Sequence, residues 1–135
     1  MTGFWDDAEV IHVYTRKQAV EDGVLVDVSE VAREAGFVVP VAVTAGVWAL
    51  VEPSPGEVEY GQDAQGRLWD VLTMARFAIR AKRDGEEGPE LLFTVLFQMR
   101  RHGERTGIRN KELKLHSGPG DDGEHVITIL LPHED

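Results

Sequence analysis

Residues 67–99, RLWDVLTMARFAIRAKRDGEEGPELLFTVLFQM, decide the class of fold, because their two ends carry different hydrophobic periods. From residue 67 to 83 the apolar residues recur every three or four positions, which predicts one long helix with a core-facing stripe. From residue 91 to 99 the residues Phe93, Val95, Phe97 and Met99 alternate with their neighbours, which predicts a strand. A long helix followed by a strand of this kind indicates an α+β domain.

Two further strands are predicted downstream of this stretch. Residues 111–116 alternate and would bury Leu113 and Leu115, while residues 125–131, HVITILL, are apolar at almost every position. A strand that is apolar on both faces belongs at the centre of its sheet. We therefore expect a C-terminal three-stranded antiparallel meander, with residues 100–110 as a basic linker.

Upstream of the long helix, the pattern predicts short capped helices separated by extended pieces. Thr15, Ser29 and Thr44 have the residue type preferred at helix N-caps, and Gln18 completes a capping box with Thr15. Pro40 removes a backbone donor and would restrict its extended piece to a sheet edge or an irregular run.

The remaining upstream residues predict a strand over 9–14, extended pieces over 24–28 and 37–43, and a polar loop over 52–66. The length of 135 residues is usual for one domain, so we expect residues 1–135 to form a single domain.

The net charge of −10 is distributed in three blocks of alternating sign. Residues 1–63 carry a net charge of −9, residues 64–114 carry +4, and residues 115–135 carry −5. Opposite charges on different segments can present distinct faces to partners. The chain has no cysteine, which excludes disulfides, thiolate zinc sites and a cysteine nucleophile.

Three blocks carry a resemblance to a known family: VIHVYTRKQAVEDGVLVDVSEVAREAGFVVPVAVTAGVW at 10–48, GQDAQGRLWDVL at 61–72 and VITILLP at 126–132. In order and content they resemble an uncharacterised family of small bacterial proteins found on plasmids, phages and integrative elements. The resemblance implies accessory tasks for a mobile genetic element, such as host takeover, counter-defence or element maintenance. It implies no catalytic residues. Without a recognisable signal peptide or a long apolar segment, the expected location is the cytoplasm of the bacterial host cell.

The acid-rich N-terminal block suggests an interface with another protein. Carboxylates spaced on a rigid surface can imitate nucleic-acid phosphates and occupy a basic groove on a partner. The residues that would form this acidic face are Glu30, Glu34, Glu57 and Glu59. The alternative interpretation is ordinary solubilising charge.

The basic block of residues 76–114 suggests a second function, the binding of nucleic acid. A phosphate track would need its cations on one open face, and the net negative charge of the chain disfavours this function. The residues that would form the basic face are Arg76, Arg80, Arg101 and Arg105. The alternative is a set of solvated charges that pair with the acidic segments.

The segment from His116 to His125 suggests a third function, a small metal-binding domain or metal-dependent enzyme. Imidazole and carboxylate groups are metal ligands, and a hairpin turn could bring together the four candidates His116, Asp121, Asp122 and His125. The glycine spacing of residues 118–123 matches a dinucleotide-binding fingerprint, but Pro119 removes an amide and a predicted strand follows instead of a helix. The segment therefore predicts a hairpin turn and no bound cofactor.

Residue types of a hydrolase triad occur at His12, Asp27 and Ser29, without the nucleophile elbow that positions such a serine. Ser29 is better explained as a helix cap, and Asp27 as an exposed or capping residue. If Asp27 were buried, it would need a partner such as Arg16 or Arg33. Altogether the sequence favours a non-catalytic accessory protein that binds a host or defence-system protein, with no membrane association and an undetermined oligomeric state.

Overall fold

The computed structural model describes residues 14–52, 63–82, 88–99 and 107–135. Within these residues the chain forms four helices and five strands. In chain order they are α1 (Arg16–Glu21), β1 (Leu25–Asp27), α2 (Ser29–Glu34), β2 (Val41–Thr44), α3 (Ala45–Val51), α4 (Ala64–Ala81), β3 (Glu90–Met99), β4 (Gly107–Pro119) and β5 (His125–Leu130). The strand predicted over residues 9–14 lies outside the described residues except for Tyr14, which is not in a strand.

The predicted α+β class is confirmed, but the predicted three-stranded antiparallel C-terminal meander does not describe the sheet, which is larger and mixed. The five strands form one mixed sheet in the order β1-β2-β5-β4-β3. β3, β4 and β5 are antiparallel neighbours, and β5 also pairs in parallel with β2, with Val41 opposite Ile127. β5 is thus the central strand, as its apolar composition predicted, and both of its hydrogen-bonding edges are paired.

The extended piece around Pro40 also differs from the expectation, because β2 is an interior strand. Pro40 lies one residue before β2, where its carbonyl accepts a hydrogen bond from the N–H of Ile127 at 2.9 Å. A proline at this position removes no donor from the strand itself, so the residues after it can pair on both sides. All four residues of β2 are buried.

The long helix α4 begins at Ala64, three residues before its predicted start and inside the predicted loop. Asp63 supplies the N-cap: its side chain accepts a hydrogen bond from the N–H of Gly66 at 2.5 Å. Gly66 reduces the intrinsic helix propensity of this turn, and the cap compensates for that cost. β4 is also longer than predicted, since residues 107–110 of the expected linker belong to it.

Two of the three predicted caps are confirmed, and the third is wrong. Thr15 and Thr44 cap α1 and α3 through their side chains. Ser29 is the first residue of α2 and does not cap it. Its hydroxyl donates to Asp27 Oδ1 at 2.6 Å and accepts from the N–H of Val41 at 3.1 Å, so it links β1 to the start of β2.

One face of the sheet, called the inner face here, packs against α2, α3 and α4. Alternate residues of the strands point to this face because successive side chains in a strand point to opposite sides. Its largest fully buried side chains include Phe97, Leu113, Ile129, Val41 and Val43, and α4 contributes Leu72. None of the helices formed by the described residues is long and apolar enough to cross a membrane.

Candidate functional site

The opposite face of the sheet, called the outer face here, carries most of the polar and titratable strand residues. The register places Ala42, Thr128 and His116 in one row across β2, β5 and β4, and Glu90 of β3 lies opposite His116. Thr44 lies two residues beyond Ala42 on β2 and so belongs to the same face. Leu25 of β1 lies opposite Thr44. Helix α1 and the residues after β5 also lie on this side of the sheet and, with these strands, line a cavity.

Helix α1 has six residues, too few to be stable without tertiary anchors. Its first turn is held by the carboxylate of Asp121, from the turn between β4 and β5. Asp121 Oδ1 accepts from the N–H of Arg16 at 2.8 Å, and Oδ2 accepts from the N–H of Lys17 at 3.0 Å. A negative charge at this position also interacts favourably with the positive end of the helix dipole.

The side chain of Arg16 anchors the same turn to the central strand. Its Nη1 donates to Thr128 Oγ1 at 2.6 Å, and its Nη2 donates to the carbonyl oxygen of Ile127 at 2.8 Å. Burial lowers the pKa of the Arg16 guanidinium, and the nearby carboxylates of Asp27 and Asp121 act in the opposite direction. The backbone N–H groups of Lys17 and Arg16 lower the pKa of Asp121, so its anionic form is stabilised.

A cavity of about 590 Å³ lies on the outer face beside α1. Its walls come from the end of α1, the following turn and the residues after β5, and its floor comes from the strands. It is lined by Tyr14, Ala19, Asp22, Gly23, Val24, Leu25, Thr44, Ala45, Glu90, His116, Thr128, Leu130, Glu134 and Asp135. The lining of the cavity is therefore mainly apolar, and four carboxylate residues belong to it.

Two of these carboxylates hold the walls in place. Glu134 Oε1 accepts from Thr44 Oγ1 and from the N–H of Leu131, both at 2.7 Å, which ties the residues after β5 to β2. Asp22 Oδ2 accepts from the Tyr14 hydroxyl at 2.7 Å. That hydrogen bond raises the pKa of Tyr14, so the phenol stays protonated as the donor.

Lys114 compensates part of this negative charge from within the fold. It is only 8% exposed, its Nζ lies 3.4 Å from Glu90 Oε2, and it donates a hydrogen bond to the carbonyl oxygen of Glu134. Lys114 thus belongs to the basic block in sequence but contributes no cation to an open surface. Asp22 and Asp135, which are exposed, have no basic partner within 4 Å among the described residues.

A second, more polar groove of about 410 Å³ lies on the other side of α1 and includes Arg16, Asp27, Ser29, Pro40 and Asp121. It contains two members of the triad considered from the sequence, and the third, His12, lies outside the described residues. Asp27 is exposed, and its carboxylate accepts from the N–H and hydroxyl of Ser29. Both residues thus shape the turn between β1 and α2.

The predicted acidic face is described at two of its four residues. Glu30 and Glu34 are exposed and lie one helical turn apart on α2, so they share a face. Glu57 and Glu59 lie outside the described residues.

The predicted basic face is likewise described at Arg76 and Arg80 of α4, whereas Arg101 and Arg105 lie outside the described residues. Arg80 is exposed. The guanidinium of Arg76 donates to the carbonyl oxygen of Ala35 at 3.2 Å. It also lies over Gly36, where a Cβ atom would come within 2.4 Å of its Cζ. Arg76 therefore contributes to the packing of α4 against the end of α2.

The two charge blocks come close together at this contact, because Arg76 reaches the residue next to Glu34. Among the described residues, no ion pair within 4 Å joins Arg76 or Arg80 to Glu30 or Glu34. The acidic residues of α2 and the basic residues of α4 are thus neighbours without direct neutralisation.

The four metal-ligand candidates are divided among different roles. His116 lines the acidic cavity, Asp121 holds α1, and His125 Nε2 is hydrogen-bonded to Ser117 Oγ. Asp122 is exposed in the turn, whose glycines close the predicted hairpin through Gly120 and Gly123. Within the described ranges, no three histidine or acidic side chains are grouped closely enough to hold a metal ion.

Sequence reasoning missed the acidic cavity, because its residues come from five strands and both ends of the described chain. Tyr14, Asp22 and Glu134 have no spacing that relates them. The one available signal was the charge of the C-terminal block, which includes Glu134 and Asp135.

A protein family described as a family of unknown function (DUF6573) matches residues 1–135. No curated protein and no solved structure shows significant similarity to the chain.

Proposed function

The chain belongs to DUF6573, a family of unknown function, and we propose that it is a non-catalytic binding protein whose acidic cavity takes a basic, amphipathic segment of a partner protein. The observation that carries this proposal is a mainly apolar cavity of about 590 Å³ whose carboxylates include two, Asp22 and Asp135, with no basic partner within 4 Å among the described residues. Cavities of this size are typical of ligand-binding sites.

The apolar part of the cavity supports an occupant that has hydrophobic side chains. Ala19, Leu25, Ala45 and Leu130 come together there from α1, β1, α3 and β5. Burying apolar surface stabilises a complex by roughly 25 cal/mol per Å² before the entropy cost of association is subtracted. A cation without apolar groups would not bury this apolar surface.

The charged part supports a cationic occupant. Asp22, Glu90, Glu134 and Asp135 line the cavity, and the nearby Lys114 already contacts Glu90 and Glu134. A lysine or arginine side chain entering beside Asp22 and Asp135 would meet carboxylates that have no basic partner within 4 Å in the described part of the chain. Complementary charge of this kind mainly confers specificity and fast association.

The surroundings of the cavity support a polypeptide rather than a small molecule. Tyr14 and Val24 line the cavity and are 56% and 51% exposed. They extend the apolar surface outside the cavity, where an extended or helical segment could lie across them. Tyrosine is enriched at protein–protein interfaces because it combines an apolar ring with a hydrogen-bonding hydroxyl.

The expected setting on a mobile genetic element makes a host or defence-system protein the proposed partner. In the related form of the proposal, Glu30 and Glu34 of α2 belong to a separate acidic surface that imitates nucleic-acid phosphates toward a basic groove of that partner. The two forms use different sides of the molecule and can be separated by charge reversal.

A direct test uses a short fluorescent peptide of alternating lysine and leucine, with fluorescence anisotropy as the measurement. We expect the wild-type protein to bind it with an affinity that falls as ionic strength rises, and not to bind a glutamate–leucine counterpart. The double variant Asp22→Lys/Asp135→Lys should bind at least about tenfold more weakly, since it replaces two attractive charges by two repulsive ones.

The matched control is Glu30→Lys/Glu34→Lys, which makes the same change of net charge on α2. It should bind the peptide as the wild-type protein does. Equal binding by the wild type and the Asp22→Lys/Asp135→Lys variant would contradict the cavity as the site. Weakening by the α2 variant alone would place the interface on the acidic face of α2 instead.

A further inference from the structure

The edge of the sheet formed by β3 is a second surface with the properties of an interface. β3 is ten residues long and lies at the end of the strand order, and among the described strands it pairs with β4 alone. Long edge strands present rows of backbone donors and acceptors, and proteins usually protect them with lysine, proline, bulges or shortening. The only charged residue of β3 is Glu90 at its first position, and the strand contains no proline.

The hydrogen bond next to the start of β3 shows which residues of this strand bond to β4 and which direct their backbone groups away from it. The N–H of Ser117 donates to the carbonyl oxygen of Pro89 at 2.8 Å, and the register continues this pairing along the two strands. In an antiparallel pair, every second residue exchanges hydrogen bonds with its partner. The odd-numbered residues of β3 therefore bond to β4, and Glu90, Leu92, Thr94, Leu96 and Gln98 direct their N–H and C=O groups outward.

The side chains beside this edge are exposed and apolar. Leu92 and Leu96 are 55% and 58% exposed, and they share the outer face of the sheet with Thr94. On β4, Ile108 lies opposite Gln98, belongs to the same face and is 66% exposed. An exposed apolar patch next to unpaired backbone groups favours association with another strand.

We propose that β3 pairs with β3 of a second copy of this chain, antiparallel and centred on Thr94, so that the sheets of the two copies become continuous. In this register Thr94 lies opposite Thr94 of the second copy, and Leu92 lies opposite its Leu96. All five outward-directed residues then form hydrogen-bonded pairs, because the even positions of one strand meet the even positions of the other.

A second copy fits this edge because the strand is complementary to itself about a two-fold axis, which is the commonest symmetry of soluble dimers. The pairing brings Leu92 and Leu96 of both copies together on the outer face, where cross-strand pairs stabilise a sheet. The single charge, Glu90, lies opposite Gln98 of the second copy, so no like charges face each other. This interface does not depend on the acidic cavity.

The test exploits the position of Thr94 on the two-fold axis and is read by sedimentation equilibrium. The wild-type protein should be a dimer, and Thr94→Lys and Thr94→Glu should each raise the dissociation constant at least about tenfold by placing like charges opposite each other. An equimolar mixture of the two variants should recover a dimer, because lysine then faces glutamate. No other antiparallel register of two β3 strands places position 94 opposite itself.

Two more variants control for folding. Thr94→Pro removes an outward N–H without breaking a bond to β4, so it should leave the circular dichroism spectrum unchanged and abolish the dimer. Thr94→Val keeps the N–H and the β-branched shape and should remain dimeric. A wild-type protein that is monomeric up to about 1 mM would overturn the proposal. A dimer that survives both Thr94→Lys and Thr94→Glu would overturn it as well.

Discussion

At the scale of single residues, several side chains have roles that only their distant partners define. Asp121 belongs to a turn that the sequence predicts, but its carboxylate holds the first turn of α1, more than a hundred residues away along the chain. Lys114 lies in a basic segment but is buried against Glu90 and the carbonyl oxygen of Glu134. In each case the residue type predicted the charge, and the tertiary contacts decided which groups that charge interacts with.

Asp121 leads to a prediction about pH. Its pKa is lowered in the folded state, so its contribution to the docking of α1 is fully present above the unfolded pKa of about 3.9 and is lost as the pH falls through the folded value. In an NMR titration, the amide protons of Arg16 and Lys17 should shift together with a midpoint below 3.9.

Two substitutions check this assignment. Asp121→Ala should remove the titration from both amides and increase the hydrogen exchange of α1, because the helix loses an anchor. Asp122→Ala, one residue further in the same turn, should leave both amide titrations in place. Persistence of the titration in Asp121→Ala would show that another carboxylate holds the helix.

At the scale of elements, the reliable predictions were those in which one regular spacing of apolar residues extended over the whole helix or strand. α4 buries Leu68, Val71, Leu72 and Ala75 on one side, as the spacing of its apolar residues predicted. The same spacing placed Ile79 in this stripe, and that part of the prediction is wrong, since Ile79 is 38% exposed. β3 alternates between buried Phe93, Val95 and Phe97 and exposed neighbours. The ends of elements were less predictable, since the start of α4 depends on the Asp63 cap and the length of β4 depends on its pairing with β3.

The two sides of α4 should respond differently to truncation. Leu72 is fully buried, so Leu72→Ala should lower the free energy of unfolding by about 3 kcal/mol through lost burial and a residual cavity. Phe77→Ala on the same helix removes a larger side chain that is 59% exposed and should cost less than about 1 kcal/mol. Urea denaturation followed by circular dichroism measures both changes, and comparable losses would contradict the packing of α4.

At the scale of the whole molecule, the parallel pairing of β2 with β5 joins the two parts of the chain into one sheet. β5 receives β4 on one side and β2 on the other, and α2 and α3, from the first part, cover the same inner face as α4. A core built from both parts is consistent with the expectation of a single domain, which can be tested by dividing the chain.

We expect fragments 1–57 and 58–135, divided between the described residues Glu52 and Asp63, not to fold cooperatively when separate. The second fragment would expose one edge of β5 and lose the helices that cover it. Mixed in equal amounts, the fragments should associate and recover a cooperative thermal transition. Cooperative unfolding of fragment 58–135 alone would show that residues 63–135 form an independent domain.

The sequence by itself determined the α+β class, the buried stripe of α4, the alternation of β3, the central place of β5 and the caps at Thr15 and Thr44. These features depend on local periodicity and on side chains close to the backbone groups that they satisfy. Only the tertiary structure decided that β2 lies beside β5, that Lys114 is buried, and that Tyr14, Asp22, Glu90 and Glu134 line one cavity. The physical reason is that strand order and side-chain pairing are set by contacts between distant segments, which no local pattern records.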